Sequence, residues 1–320
     1  MFPLEVRVDL KRGIAAKNKG DLEISAYYKR KAWNTAIGLP IEEFKAEPYL
    51  KITGIAVDLA GELEEQGKSQ EAFALYRDAL DLIRNGPPDR LSGRERLRAV
   101  SLAVKLGQLA PTCAVPIEEE EKMLVFAVEE ILKLLMDIRG KPSPAETAPP
   151  LDFVHLNLPN WLTKTDVSVP LQELGDFYGR VGKLEYAIPL YLQGISLLVS
   201  EGGAKASSED MCQGAQLMNN IAELVIRGDP TAEKQKYAEA WAQKALSILQ
   251  TTRKDTKEPI PSCEQALSVA LFNAGMLREL AGDTKNARRF FMSAFEQSKL
   301  SGIDEGVTAA KGAVTRLDTK

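Results

Sequence analysis

The sequence has very few of the residues from which catalytic and metal-binding sites are usually built. Its 320 residues include one histidine and three cysteines, and the cysteines lack the short spacings of a metal site. Neither a Gly-x-Ser-x-Gly nor a His-Glu-x-x-His motif is present, and the glycine pair at 202–203 is not followed by the rest of a phosphate-binding loop. We therefore predict no enzymatic activity, no catalytic residues, no cofactor and no bound metal.

Long apolar runs are also absent. No run approaches the roughly 18 residues that a membrane-spanning helix needs, and the opening MFPLEVRVDLKRG has no signal-peptide core. The chain begins almost inside its first helix, which suggests a trimmed form without a leader or anchor. A net charge of −4 gives no whole-chain basic field for nucleic acid. Alternating β-branched runs are nearly missing, which predicts an all-α protein.

The few chemically reactive residues are isolated from one another. Cys113, Cys212 and Cys263 are interpreted as buried or half-buried thiols, or alternatively as including one disulfide, formed in an oxidising compartment, whose pairing the sequence does not give. His155 has no accompanying nucleophile motif and is interpreted as a packed loop residue. The four carboxylates Glu118 to Glu121 point in different directions on a helix, so they suit a helix N-terminus better than calcium.

Three stretches share one pattern of small and aromatic residues at helical spacing. In residues 171–194 the pattern begins with Leu174-Gly175 and Tyr178, breaks at Gly182 and resumes with Ala187, Tyr191 and Gly194. The same offsets recur around residues 59–79 and 274–294, and looser copies begin near residues 13, 106 and 221. This pattern of two short helices and a tight turn resembles the tetratricopeptide repeat.

The repeats predict an all-α, superhelical tetratricopeptide solenoid of about six helix pairs with a C-terminal capping helix. We predict three pairs in residues 1–138, a Pro-rich insertion loop in 139–168, three pairs in 169–301, and a capping helix and tail in 302–320. Ala32 and Ala79 are 47 residues apart, against about 34 in the standard repeat, so the loops and helices should be longer than usual. Part of the insertion is apolar and is expected to pack along the solenoid.

Local signals mark several helix ends. Ser92 with Glu95 and Ser262 with Gln265 predict capping boxes, and Ser207 with Asp210 opens the fifth pair. Pro189 predicts a kink or a late start of the second helix of the fourth pair.

The first helices of a tetratricopeptide array line its inner surface, where the family typically binds an extended or helical peptide. Projection of these helices in the last three pairs gives the predicted groove residues Gln172, Asp176, Asn219, Asn220, Glu223, Phe272, Asn273 and Met276. Asn220 and Asn273 occupy equivalent places, where an amide either grips a ligand backbone or satisfies neighbouring helix groups. Val269 and Asn273 stand where a carboxylate clamp needs basic residues, so capture of a C-terminal carboxylate is not expected.

The first helix pair is more basic than the rest of the chain. Residues 4–34 hold eight basic and four acidic side chains. We interpret this as a solvated helix face, with a surface for anionic lipid head groups or an acidic partner as the alternative.

Beyond the repeat itself, long segments resemble one subgroup. The basic opening and the segments YLKITGIAVDLAGELEEQGKSQEAFALYRDALDLI, SGRERLRAVSLAVKLGQLA and LGDFYGRVGKLEYAIPLYLQGISLL resemble the fungal adaptor subunit of the mitochondrial inner-membrane i-AAA protease. The resemblance implies a protein-binding adaptor on the intermembrane-space side that brings unfolded or membrane proteins to the protease. The membrane helix of that family is missing here. The alternative is a general, cytoplasmic scaffold that binds a defined peptide motif of a folded partner.

Overall fold

A computed structural model describes residues 2–140, 153, 156–199, 206–227 and 230–319. These residues form α-helices and two short 3-10 turns, with no β-strand among them, so the all-α prediction is confirmed. The helices are Leu4–Asn18 (α1), Leu22–Gly38 (α2), Pro48–Glu65 (α3), Ser69–Arg84 (α4), Gly93–Leu109 (α5), Ile117–Arg139 (α6), Lys164–Arg180 (α7), Leu184–Val199 (α8), Ser208–Ile226 (α9), Ala232–Asp255 (α10), Pro261–Leu280 (α11), Thr284–Leu300 (α12) and Asp304–Asp318 (α13).

The helices form six pairs followed by a single helix, as predicted. Each pair packs along its length, from α1 with α2 to α11 with α12, and α13 packs on α12. The chain divides into two compact units, Met1–Pro149 with three pairs and Pro150–Lys320 with three pairs and α13. We call the first helix of each pair its A helix and the second its B helix.

The insertion between the units is shorter than predicted. α6 continues to Arg139 and α7 already begins at Lys164, so residues 164–168 are helical. The start of α7 is a capping box that the sequence reading missed, in which the Thr163 hydroxyl accepts from the Asp166 backbone N–H and the Asp166 carboxylate accepts from Thr163. His155 and most of the Pro-rich segment lie outside the described residues.

Other helix ends test the local signals directly. The Ser92–Glu95 capping box is confirmed, and Ser207 with Asp210 forms another. The box predicted at Ser262 is wrong: α11 already begins at Pro261, so Ser262 lies inside the helix, and the N-cap residue Ile260 makes no side-chain hydrogen bond. The fixed φ of proline suits the first helical position, so the helix starts there. The late start predicted at Pro189 is also wrong, because α8 begins five residues before it.

A glycine on the A helix lets a large B-helix side chain pack against the backbone. A Cβ added at Gly175 would lie 2.6 Å from Tyr191 Cε1, and one at Gly275 would lie 2.7 Å from Phe291 Cδ1. In both pairs the large residue follows the glycine by sixteen positions. This close packing sets the crossing of the two helices, which is why the small and aromatic residues recur at fixed spacing.

We expect Gly175→Ala to lower the free energy of unfolding of the second unit by about 1–3 kcal/mol, because the Tyr191 ring would have to move. Gly312→Ala is the matched control, since Gly312 lies in α13 with nothing within 4 Å of its added Cβ. That substitution should stabilise α13 by about 0.5–1 kcal/mol, as alanine favours helix over glycine. Urea denaturation measures both, and equal effects of the same sign would contradict the packing explanation.

The first pair departs from this pattern. The residue sixteen positions after Gly13 is Lys29, and a Cβ on Gly13 would lie 2.9 Å from Lys29 Cγ. The Lys29 side chain is 1% exposed, and its ammonium lies 2.6 Å from Oε1 of Glu62, whose side chain is 0% exposed. Ser25 also donates to Glu62, at 3.0 Å, and Asp58 contacts the same ammonium. A buried ion pair therefore occupies the place that an aromatic ring fills elsewhere.

Candidate protein-binding groove

The A helices of the second unit form a continuous row. α7 contacts α9, α9 contacts α11 and α11 contacts α13, whereas α8, α10 and α12 pack on A helices without comparable contacts to one another. A row whose A helices contact one another, while its B helices do not, carries the A helices on the inner side of its curve. The predicted groove residues therefore belong to helices that share one face of this unit.

Asp176 is the centre of a polar cluster on that face. Its Oδ1 accepts from the Tyr191 hydroxyl at 2.5 Å and from Asn220 Nδ2 at 3.1 Å. Gln172 also hydrogen-bonds to this carboxylate. Three predicted groove residues, Gln172, Asp176 and Asn220, thus lie together, and Asn220 uses its amide to join two neighbouring A helices.

Burial raises the pKa of the Asp176 carboxyl above its ordinary value. The hydrogen bonds from Tyr191, Gln172 and Asn220 act in the opposite direction, and the nearby charge of Glu223 adds to the increase. The pKa of Tyr191 is also raised, first by its burial and then by the negative charge of Asp176. The ionised carboxylate is consequently less stable here than it would be in water.

This shift has a defined effect on stability. A carboxyl whose pKa is raised by folding binds its proton more tightly in the folded state, so stability falls as the pH rises through the folded pKa. We expect Asp176→Asn, which keeps an acceptor for Tyr191 and Asn220, to make the second unit more stable than wild type at pH 7. The advantage should vanish below about pH 4, where the unfolded carboxyl is also protonated. Urea titrations across pH measure this, and a variant less stable at every pH would contradict it.

Two amide groups in the row lack a hydrogen-bond partner. Asn219 on α9 is 2% exposed, so it is buried rather than on the predicted groove surface, and its Oδ1 has no donor. Nδ2 of Asn273 on α11 is likewise buried without an acceptor. Unsatisfied buried amides are rare because each one costs free energy. One is an acceptor and the other a donor, and they lie on neighbouring A helices.

Of the remaining predicted residues, Phe272 and Met276 lie towards α13, whereas Glu223 lies on α9. Phe272 packs on Phe291, with ring centroids 5.3 Å apart, and Met276 is partly buried in the same cluster. Glu223 pairs with Arg227 at 2.7 Å, and both side chains remain accessible. The groove therefore combines carboxylates, amides and partly buried apolar side chains.

Consecutive A helices are joined by polar pairs that sequence reasoning missed. Glu64 on α3 meets Lys105 on α5 at 2.9 Å, and Glu279 on α11 meets Arg316 on α13 at 2.6 Å. The pairs Glu64–Lys105 and Asp176–Asn220 share one regular position: Lys105 and Asn220 each precede the small residue of their repeat, Gly107 or Ala222, by two positions, and that offset is the signal that could have found them. At the α9–α11 junction the equivalent residue is Asn273, whose amide nitrogen is unpaired.

That junction carries a covalent link instead. Cys212 on α9 and Cys263 on α11 form a disulfide, with Cα atoms 5.1 Å apart. The structure therefore shows the alternative in which two of the three cysteines form a disulfide. Cys113 is a free, partly buried thiol whose pKa is raised, mainly by burial.

A second concave feature lies between two B helices of this unit. A cleft of about 690 Å³ has Leu267 and Leu271 of α11 as its floor, with Lys254 of α10 on one wall and Met292 and Leu300 of α12 on the other. Across the described ranges, no helix has the length and apolar character needed to cross a bilayer, and no three potential metal ligands cluster together.

Comparison with known proteins identifies the architecture. Neither a family model nor a curated protein matches the sequence. Among solved structures, BtubC (BKLC) from P. vanneervenii matches with a TM-score of 0.59 and 15% identity, over 88% of this chain and 92% of that one. The chain has a tetratricopeptide-like superhelical repeat fold. Because the identity is low, the likeness establishes the fold alone.

Two further structures match this tetratricopeptide-like chain over nearly its whole length. The apo form of RapI has a TM-score of 0.56 and 10% identity, covering 98% of this chain and 72% of its own. The nuclear import adaptor Nro1 of S. pombe has a TM-score of 0.51 and 11% identity, covering 96% of this chain and 97% of its own.

Proposed function

We propose that this protein is a non-enzymatic adaptor that binds polypeptide segments in the groove of its second unit. The observation that supports this most is the donor Nδ2 of Asn273 on α11, which has no hydrogen-bond partner and belongs to a side chain that is partly exposed in the groove. A bound peptide backbone offers a carbonyl acceptor for this donor. Phe272 and Glu223 on the same face would contact apolar and basic side chains of the ligand.

The proposed ligands are unfolded or membrane proteins, which the adaptor would bring to a mitochondrial AAA protease on the intermembrane-space side of the inner membrane. The resemblance of the repeat segments to the fungal adaptor subunit supports this role. The Cys212–Cys263 disulfide supports it as well, because disulfides persist mainly in oxidising compartments. Co-purification of the AAA protease with the tagged chain from mitochondria tests this part, and a cytoplasmic location would contradict it.

Groove binding is tested with a fluorescein-labelled, carboxymethylated and therefore permanently unfolded polypeptide. Its anisotropy should rise on titration with the protein, and Asn273→Leu should weaken binding about five- to tenfold by removing one hydrogen bond and leaving a ligand group unpaired. Asn34→Leu is the matched control, because Asn34 lies exposed on a B helix of the first unit. No binding at high micromolar concentration, or equal weakening by both variants, would contradict the proposal.

The second candidate function is a scaffold that binds one defined motif of a folded partner. The cleft between α10 and α12 favours it, because Leu267 and Leu271 form an apolar floor beside the charged wall residue Lys254. This function predicts a single short peptide of defined sequence as the ligand. Selection from a random peptide library distinguishes the two, since an unfolded-chain adaptor should enrich many unrelated apolar sequences.

A further inference from the structure

The α9–α11 junction differs from its neighbours in how it is held. α7 is joined to α9 by the Asp176–Asn220 hydrogen bond, and α11 to α13 by the Glu279–Arg316 ion pair. Between α9 and α11 the corresponding amide of Asn273 is unpaired, and the Cys212–Cys263 disulfide ties the two helices near their N-terminal ends. The same two helices carry the partly exposed groove residues Glu223, Phe272 and Asn273.

We infer that the Cys212–Cys263 disulfide controls polypeptide binding by the second unit, so that the oxidised protein binds tightly and the reduced protein binds weakly. This inference rests on the proposed groove function. The disulfide holds α9 and α11 at a fixed separation, and with them the partly exposed groove residues Glu223 and Asn273, before any ligand arrives. A preorganised site loses less conformational entropy on binding than a loose one.

Once the bond is opened, α9 and α11 face each other through a largely apolar core, while the ion pair Arg253–Glu264 holds α11 to α10. The core there includes Leu217 and Met218 of α9 against Leu267 and Leu271 of α11. Such packing is non-directional, so it does not fix the relative position of groove side chains on the two helices as a covalent bond or a polar pair does. The ligand must then order the helices itself, and its affinity falls.

The reductant is a dithiol. One of its thiolates attacks a sulfur of the disulfide, giving a mixed disulfide and releasing the other cysteine as a thiolate; the second thiol then closes a ring and releases the first cysteine. Two electrons and two protons pass from the dithiol to the protein, leaving two cysteine thiols and an oxidised, cyclic dithiol. The sulfurs are shielded, because Cys212 is 1% and Cys263 is 4% exposed.

Access to the bond depends on local opening. Cys263 is the third residue of α11 and Cys212 the fifth of α9, so both lie in the first two turns, where helices fray most easily. Reduction should therefore be slow and limited by opening of these ends. Because reduction is slow, the groove would stay in one redox state for a long time, and the bond would not act as a rapid switch.

The experiment compares oxidised and dithiothreitol-reduced full-length protein in a Cys113→Ser background, which removes the free thiol. The probe is the same carboxymethylated polypeptide, which has no thiols of its own. We expect reduction to weaken its binding about tenfold, equivalent to about 1.4 kcal/mol. The Cys212→Ala/Cys263→Ala variant should match the reduced protein and be insensitive to dithiothreitol.

The outcomes separate the two proposals. Equal affinity in both redox states, with binding intact, would overturn the control by the disulfide and leave the groove function standing. No binding in either state would overturn the groove function and this inference with it. Amide hydrogen exchange should be faster in α9 and α11 of the reduced protein than of the oxidised protein, and it should be unchanged in α7 and α8. A uniform loss of protection would show global unfolding and would also overturn the inference.

Discussion

Lys29→Ala is expected to lower the free energy of unfolding of the first unit by about 3–5 kcal/mol, because it removes the buried ammonium beside a buried carboxylate and leaves the charge facing only Lys17, which is 40% exposed and 3.4 Å away. The abandoned partner is Glu62, whose side chain is 0% exposed and whose Oε2 already has no hydrogen bond. Urea denaturation followed by the fluorescence of Trp33 measures the loss, since Trp33 is buried on the same helix. The measurement is made in a Trp161→Phe/Trp241→Phe background, so that all tryptophan fluorescence comes from Trp33.

Two companion variants define the cause. Lys31→Ala on the same helix removes a lysine that is 54% exposed and pairs with Asp9 at 3.4 Å, and its effect should stay within about 1 kcal/mol. The double variant Lys29→Met/Glu62→Leu removes both charges and should recover most of the stability, since apolar pairs of similar volume replace buried ion pairs well. An effect of Lys29→Ala no larger than that of Lys31→Ala would contradict the assignment of a buried ion pair.

Removal of the disulfide is expected to have a similar effect on the second unit. Cys212 and Cys263 are separated by 51 residues, and closing a loop of this length in the unfolded chain corresponds to about 4 kcal/mol of stability. Cys212→Ala/Cys263→Ala should therefore lower the free energy of unfolding by about that amount. The fluorescence of Trp241, which packs on the core around these helices, reports the transition.

The controls use the third cysteine and the reductant. Cys113→Ser should leave the transition of the second unit unchanged, because Cys113 belongs to the first unit. Wild type in dithiothreitol, once fully reduced, should unfold at the urea concentration of the double variant. A double variant as stable as oxidised wild type would show that the link between α9 and α11 contributes nothing to folding.

The helix pairs were predictable because their signals are local. Gly175 and Tyr191 lie sixteen residues apart in adjoining helices, and the turn between them contains Gly182, whose φ of 81° favours glycine. The start of α11 was mispredicted because two local signals competed. Pro261 fits the first helical position, and it prevailed over the adjacent serine.

The candidate site was harder to predict because its contacts join distant residues. Helix projection placed Asn219 on the groove face. Whether a side chain is buried depends on the neighbouring helices, however, and in the structure Asn219 is buried. Lys29 could be found by its offset from Gly13, whereas its partner Glu62 is 33 residues away. The Cys212–Cys263 pairing follows only from the stacking of α9 on α11.

Site-specific photo-crosslinking tests groove binding most directly. A benzophenone amino acid replaces either Val269 of α11, which is 44% exposed on the stripe of Phe272 and Asn273, or Tyr237 of α10, which is 47% exposed on a B helix. With the labelled unfolded polypeptide bound, we predict strong crosslinking from position 269 and little from position 237. Crosslinking from position 237 alone, or equally from both, would contradict binding in the groove of the A helices.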